Sequence, residues 1–306
     1  MHETLVAVRN AGASLMVVAL ALGGTACGGS TSTGQPGSIQ VVAAENFWGS
    51  IAAQLGGSKA NVQSVVSDPN ADPHEYESST NDARAFADAD LVMLNGAGYD
   101  DWGQKLLAAN PSSNRRVVTV AQLVGKKAGD NPHFWYNPDY VTRVADQITS
   151  SYKTIDSADA TYFDQQRTAF AGSLKPYLDR IAEIKAKFGG KPVGSTESIF
   201  VYMANALSLD LISPPEFMQA VSEGNDPPAS TVANFQDQIT SRTIKVLVYN
   251  VQTATSITTN LKAMATANHI PVVGISETLQ PKNATFQSWQ LSQLVDLENG
   301  LSAGTS

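Results

Sequence analysis

From residue 39 onward, short β-branched apolar runs alternate with segments whose apolar residues recur at helical spacing. In the first part of the chain the predicted strands are 39–45, 61–67, 90–96 and 115–123, and the predicted helices are 47–56, 79–89 and 100–109. A further helix should begin at Pro138, because proline is favoured in the first turn of a helix. Strands that alternate with helices predict a parallel sheet with helices on both faces.

The most periodic segment of the chain extends from about Asp159 to Phe188. Its apolar residues, at steps of three, four and seven, are Phe163, Phe170, Leu174, Tyr177, Leu178, Ile181, Ile184 and Phe188. These steps predict one continuous helical face. A helix of roughly 30 residues would be about 45 Å long, enough to run beside two lobes. Gly189 and Gly190 should end this helix, and Pro176 should kink it.

Beyond this helix the alternation of strands and helices resumes. The predicted strands are 191–196, 243–250 and 270–277, and the predicted helices are 198–207, 215–223, 229–241, 253–268 and 284–300. The predicted fold is therefore α/β, with two similar lobes, each a mostly parallel sheet flanked by helices, joined by one long connecting helix. The N-terminal lobe would comprise 39–156, the connecting helix 157–190 and the C-terminal lobe 191–306. Two lobes suit 306 residues, since single cores stop growing near ~250–300.

The N-terminus has the pattern of a signal peptide over residues 1–26. An apolar run of about 14 residues follows Arg9, which is shorter than the roughly 20 residues needed to span a bilayer. Cys27 is the only cysteine, so the chain can build neither a disulfide nor a thiolate metal site. Its position before a Gly/Ser-rich linker, 27–38, predicts a lipidated bacterial lipoprotein on the outer face of the cytoplasmic membrane. Gly24 departs from the aliphatic residue usual there, and an ordinary cleaved signal with an incidental cysteine is the alternative.

The charge of the chain restricts its partners. It has 28 acidic and 20 basic residues, a net charge of −8, and no Lys/Arg-rich run. This composition argues against binding of nucleic acid or of an anionic membrane surface. An electrostatic partner would be a cation.

Two of the four histidines share a sequence context. His74 lies in DPHEYE and His133 in NPHFWY, and each motif follows a predicted strand, on the side where open α/β sheets bind ligands. His2 falls in the signal peptide, and His269 at a helix end suits a structural role. His74 and His133 are therefore candidate metal ligands. The alternative is two exposed loop histidines beside turn-forming prolines.

Two carboxylates occupy matching positions in the second half. Glu197 directly follows the strand 191–196, and Glu277 ends the strand 270–277. Two histidines alone hold a metal weakly, so these carboxylates are candidates to complete its coordination. Alternatively, Glu197 is an ordinary helix N-terminal residue and Glu277 a solvated loop residue.

The two histidine motifs, the long helix, TESIFVYMANALSL and VGISETLQP together resemble the metal-binding lipoproteins of manganese/zinc ABC importers, the cluster A-I solute-binding proteins. The resemblance covers nearly all of the mature chain. It implies four metal ligands converging between the lobes at His74, His133, Glu197 and Glu277. Glu197 lies five residues before Tyr202, where many members have His, and Glu277 replaces the usual Asp.

The resemblance also implies an extracytoplasmic binding protein and not an enzyme. Its partners would be the permease and ATPase subunits of an ABC importer, and it would act as a monomer. Two imidazoles and two carboxylates, without sulfur, favour Mn²⁺, Zn²⁺ or Fe²⁺ over copper. We expect Mn²⁺ to be slightly preferred over Zn²⁺, although intrinsic affinity runs the other way.

Two other functions are alternatives, and the first of them would use the same residues. A secreted metal-dependent hydrolase would need an open coordination position and a general base, for which Glu75 or Asp72 could be considered. A protein that binds an organic solute could line its cleft with the aromatic residues Phe47, Trp48, Trp135 and Tyr136.

Overall fold

Two four-stranded parallel sheets form the framework of the protein. The computed structural model describes residues 37–70 and 72–305, and these belong to one compact unit. The predicted signal peptide, Cys27 and most of the linker lie outside the described residues.

The first sheet has the strand order β2-β1-β3-β4, with all neighbours parallel. Its strands are β1 (Ile39–Glu45), β2 (Ala60–Val66), β3 (Leu91–Leu94) and β4 (Arg116–Thr119). The accompanying helices are α1 (Asn46–Gly56), α2 (Thr80–Asp88), α3 (Asp101–Ala109), α4 (Val120–Leu123) and α5 (Pro138–Ile155). The prediction of strand over 120–123 was wrong, because the chain turns into α4 directly after β4. Pro138 begins α5 as predicted, and the Asn137 side chain caps it.

The second sheet has the order β6-β5-β7-β8 and repeats the topology of the first. Its strands are β5 (Pro192–Ser195), β6 (Asp210–Leu211), β7 (Leu247–Asn250) and β8 (Val272–Ile275). Its helices are α7 (Val201–Ala206), α8 (Pro215–Ser222), α9 (Ala229–Thr240), α10 (Ser256–Ala267) and α11 (Phe286–Gly304). The two-residue strand β6 was not predicted, because it is too short to show a period-two pattern.

The long helix α6 (Ala160–Phe188) connects the two sheets and has 29 residues. It continues through Pro176 and ends at Gly189. Its buried residues follow the predicted face, with one exception: Leu178 is 40% exposed. Leu178 follows Tyr177 by one residue, so it lies about 100° around the helix from the buried row.

One apolar core extends through both halves of the molecule. It contains residues of β1, α1 and α5, the inner face of α6, and residues of β7, β8 and α11. Aromatic contacts cross between the halves, as where the Tyr136 and Trp289 rings meet with centroids 6.2 Å apart. The α/β fold with two lobes is therefore confirmed, and the lobes share one core.

None of the helices in the described part of the chain is both long enough and apolar enough to cross a membrane.

Two leucines one turn apart on α6 test how this helix is packed. Leu174 is 2% exposed and Leu178 is 40% exposed. We expect Leu174→Ala to lower the free energy of unfolding by about 2–5 kcal/mol, because it leaves a cavity in the shared core. Leu178→Ala, the matched control, should change it by no more than about 0.5 kcal/mol. Chemical denaturation of both variants measures the difference, and equal losses would contradict this packing.

Candidate metal centre

The four candidate ligands meet between the two lobes. The His74 Nε2 lies 3.3 Å from Glu277 Oε2, and the His133 Nε2 lies 3.4 Å from Glu197 Oε1. The His133 Nε2 is also 3.9 Å from Glu277 Oε2. His133 and both glutamates are completely buried, whereas the His74 side chain is 20% exposed. Each lobe thus contributes two side chains to one cluster.

Parallel topology explains why these residues converge. His74 lies in the short turn Pro73–Glu75 after β2, and His133 precedes the turn Phe134–Tyr136. Glu197 and Glu277 each lie two residues beyond a strand, β5 and β8 respectively. Because the carboxyl ends of parallel strands share one edge of a sheet, side chains after different strands are brought together there.

The donor atoms form two overlapping groups of three. Those of His74, His133 and Glu197 lie within 4.8 Å of one another, as do those of Asp72, His74 and Glu277. Two donors at about 2.1 Å from a tetrahedral metal are about 3.4 Å apart, close to two of the three separations above. The Nε2 atoms of His74 and His133 are buried and have no hydrogen-bond partner. Buried ring nitrogens without a hydrogen-bond partner are costly, and a bound cation would supply a partner for both. The residues therefore fit a divalent cation held by two nitrogens and two oxygens.

Asn131 orients the His133 ring. Its Oδ1 lies 2.8 Å from His133 Nδ1, and because an amide oxygen can only accept, Nδ1 carries the proton and donates it. The lone pair on Nε2 is then directed to the cluster. Asn131 also links the lobes. Its side-chain Nδ2 donates to the Ser198 backbone carbonyl, and its backbone carbonyl accepts from the Tyr202 hydroxyl. Such fixing of the tautomer is usual for metal-binding histidines.

Two residues not identified from the sequence hold the glutamates. The Tyr99 hydroxyl donates to Glu277 Oε2 at 2.5 Å, and the Asn250 Nδ2 donates to both Glu197 and Glu277. Gln252 fixes the neighbouring backbone, since its Oε1 accepts from the amides of Glu277 and Thr278. Asn250 is the last residue of β7 and Tyr99 lies in the loop after β3, and this position at the carboxyl side of a strand is the one sequence signal that indicates them.

Burial and charge act against each other on the two histidines. For His74, burial favours the neutral imidazole, but the carboxylates, Glu277 first, outweigh it and raise its pKa to about 9. For His133, complete burial dominates and lowers the pKa. Burial also disfavours the charged form of Glu277, yet His74 and the other partners lower its pKa to about 2. Without metal, the centre thus holds a charged His74–Glu277 pair beside a neutral His133.

An open cavity of about 660 Å³ leads from the surface to His74 and Tyr99. Acidic side chains line it, namely Asp72, Glu75, Asp130 and Glu223, and no lysine or arginine does. Cations would be attracted into this entrance. Asp72 accepts a hydrogen bond from the His74 backbone, which fixes the turn.

The aromatic residues considered for an organic solute do not line this cavity. Phe47 and Trp135 stack at 3.9 Å between ring centroids, and they are fully buried, as are Trp48 and Tyr136. These rings belong to the core. The remaining histidine of the described residues, His269, is exposed after α10 and lies outside the cluster.

Comparison with known proteins identifies the family of the chain. The family model described as ZnuA, zinc-uptake complex component A, periplasmic, matches residues 41–300. The chain belongs to this family. It is a family of solute-binding proteins, in agreement with the resemblance noted in the sequence.

Curated relatives are about a quarter identical to this chain over the aligned residues. The metal ABC transporter substrate-binding lipoprotein FimA of Streptococcus parasanguinis is 28% identical over 207 residues, which are 62% of this chain and 66% of FimA. The manganese-binding lipoprotein MntA of Halalkalibacterium halodurans is 23% identical over 210 residues, 65% of this chain and 68% of MntA. The match thus spans just under two thirds of FimA.

Solved structures share the fold. The Mn-bound S38A mutant of a periplasmic metal binding protein from candidatus Liberibacter asiaticus superposes with a TM-score of 0.71 at 16% identity, covering 86% of this chain and 99% of that one. A crystal structure of ZnuA gives a TM-score of 0.68 at 21% identity, with the same coverage.

The charged state of His74 predicts that metal binding releases a proton. With a pKa of about 9, His74 is protonated at neutral pH and must lose its proton to coordinate, whereas His133 is already neutral. We expect about one proton released per ion at about pH 7, and an affinity that falls about tenfold for each pH unit of acidification. Calorimetry in buffers of different ionisation enthalpy counts the proton. An affinity that stays constant from about pH 7.5 to about pH 5 would contradict the four-ligand centre.

Proposed function

We propose that this protein is an extracytoplasmic solute-binding protein that captures one divalent transition-metal ion between its lobes and delivers it to an ABC importer. The observation that carries the proposal is the cluster of four buried donors. Two imidazole nitrogens without hydrogen-bond partners face two carboxylates at separations close to a tetrahedral edge. The candidate ligands are His74, His133, Glu197 and Glu277.

The relatives support a metal as the solute. FimA and MntA are named as lipoproteins that bind metal or manganese, and the matching family is named for zinc uptake. The donor set of this chain admits Mn²⁺, Zn²⁺ and Fe²⁺, because it contains nitrogen and oxygen but no sulfur. Two carboxylates also balance the charge of a divalent ion, so the loaded centre is neutral.

Capture would join the lobes through the ion. Because each lobe supplies two of the four ligands, a bound ion adds coordinate bonds across the interface and stabilises the closed arrangement. The shared apolar core would keep the accompanying hinge motion small. The permease and its ATPase would then recognise the loaded form.

A hydrolytic function is less well supported. A catalytic zinc site keeps one coordination position for water, whereas four protein donors complete a tetrahedral shell here. Asp72, one of the two candidate general bases, is already bound to the backbone amide of His74. The centre is therefore better suited to holding an ion than to activating water, and we propose no enzymatic activity.

We further propose that the mature protein is a monomer anchored through lipid on Cys27. Such an anchor, followed by the linker to residue 38, would hold the binding centre near the importer at the outer face of the membrane. FimA and MntA are both named as lipoproteins.

Metal content tests the proposed function directly. Protein purified after growth in mixed metals should carry one divalent ion per chain, as measured by elemental analysis. His74→Ala and Glu277→Gln should each lose most of it, because each removes one donor from a four-donor shell. His269→Asn is the matched control, since His269 is exposed and has φ 57, which asparagine tolerates. Full metal content in all of these variants would refute the centre.

Lipid attachment has a separate test. Cells fed a labelled fatty acid should incorporate the label into the wild-type protein and not into Cys27→Ser, which should appear in the soluble extracytoplasmic fraction. Label retained by Cys27→Ser, or absent from the wild type, would contradict the anchor.

A further inference from the structure

Asn250 lies between the two glutamates because of the strand order. It is the last residue of β7, and β7 lies between β5 and β8 in the second sheet. Glu197 and Glu277 extend from the ends of those two flanking strands. The buried Asn250 Nδ2 donates to Glu197 Oε2 at 2.9 Å and to Glu277 Oε1 at 2.8 Å. One amide group thus bridges both carboxylates.

The Asn250 amide cannot be turned around. Its Oδ1 accepts from the Gln252 backbone amide at 3.1 Å, and its Nδ2 faces carboxylate oxygens, which only accept. Reversing the amide would set an oxygen against two carboxylates and a nitrogen against an N–H donor. The surrounding groups therefore fix which end of the side chain faces the centre.

This bridge sets which oxygen of each carboxylate faces the histidines. Asn250 holds Oε2 of Glu197 and Oε1 of Glu277. The other oxygens, Glu197 Oε1 and Glu277 Oε2, face a histidine nitrogen at 3.4 and 3.3 Å. They also accept from the Ser198 and Tyr99 hydroxyls, which leaves each of them a second lone pair for an ion. For either glutamate to bind an ion through both oxygens, its carboxylate would have to turn the oxygen that faces Asn250 toward the histidines, which would break the hydrogen bond from a buried amide.

We propose that Asn250 is a positioning residue that keeps both glutamates monodentate and thereby determines metal specificity. The centre then offers two nitrogens and two oxygens, the four-coordinate shell of Zn²⁺. Mn²⁺ favours a six-coordinate shell rich in oxygen, which bidentate carboxylates would help to supply. The protein therefore selects Zn²⁺ over Mn²⁺ more strongly than its donor types alone predict. This inference rests on the proposed function, and it departs from the slight preference for Mn²⁺ expected from the sequence.

The test compares Asn250→Ala and Asn250→Leu with the wild type. Both variants remove the amide donor without adding a charge or an oxygen ligand beside the carboxylates, and Leu keeps the volume of the side chain if Ala impairs folding. Gln238→Leu is the control. It also removes a side-chain amide of the second lobe, but the Nε2 of Gln238 donates to the Ile212 carbonyl and not to the carboxylates. The readouts are the ratio of the Mn²⁺ and Zn²⁺ dissociation constants by competition, and the visible spectrum of the Co²⁺-loaded protein.

We expect the wild-type protein and Gln238→Leu to show the intense visible bands of four-coordinate Co²⁺. In both Asn250 variants these bands should weaken, and the Mn²⁺-to-Zn²⁺ ratio of dissociation constants should fall by about tenfold or more. A purely structural role would lower both affinities together and leave the ratio unchanged.

An unchanged ratio in the folded Asn250 variants would overturn the inference, as would the weak bands of six-coordinate Co²⁺ in the wild type. A wild-type protein that binds none of the three ions would instead refute the proposed function. The two failures are therefore distinguishable.

Discussion

Two carboxylates buried at one point repel each other, and each loses its hydration, so the structure around Glu197 and Glu277 must compensate both costs. Asn250 bridges them, Tyr99 donates to Glu277, and the protonated imidazole of His74 lies beside the same carboxylate. A divalent cation would replace the proton on His74 and balance both charges. Under the proposed function, affinity for metal would follow from this compensation being incomplete without an ion.

The fold supplies this arrangement by repetition. Both sheets have the same strand order. In each lobe, two loops that follow strands reach the interface between the lobes. The first lobe presents nitrogen donors that are oriented by the backbone and by Asn131. The second presents oxygen donors that are oriented by Asn250 and Gln252. The apolar core is continuous through both lobes, so the two pairs belong to one packed unit.

Much of this could be predicted from the sequence, for identifiable reasons. The apolar periodicity located helix α6 and seven of the eight strands in the part of the chain that the structure describes, because burial of one face imposes a regular pattern. The Pro-His motifs indicated His74 and His133, and strand ends indicated Glu197 and Glu277. Asn250 and Tyr99 were not identified, since a polar residue that binds another side chain has no periodicity of its own. The denticity of the glutamates depends on hydrogen bonds between residues far apart in the chain, such as Asn250 and Glu197.

The central claim is that four side chains, two from each lobe, hold a single ion. Crystallography of the metal-loaded protein, with anomalous scattering recorded at the absorption edge of the metal, tests it most directly. The account predicts one strong anomalous peak at about 2.0–2.2 Å from one donor atom of each of His74, His133, Glu197 and Glu277. A peak bound by residues of one lobe only, or located outside this cluster, would contradict it.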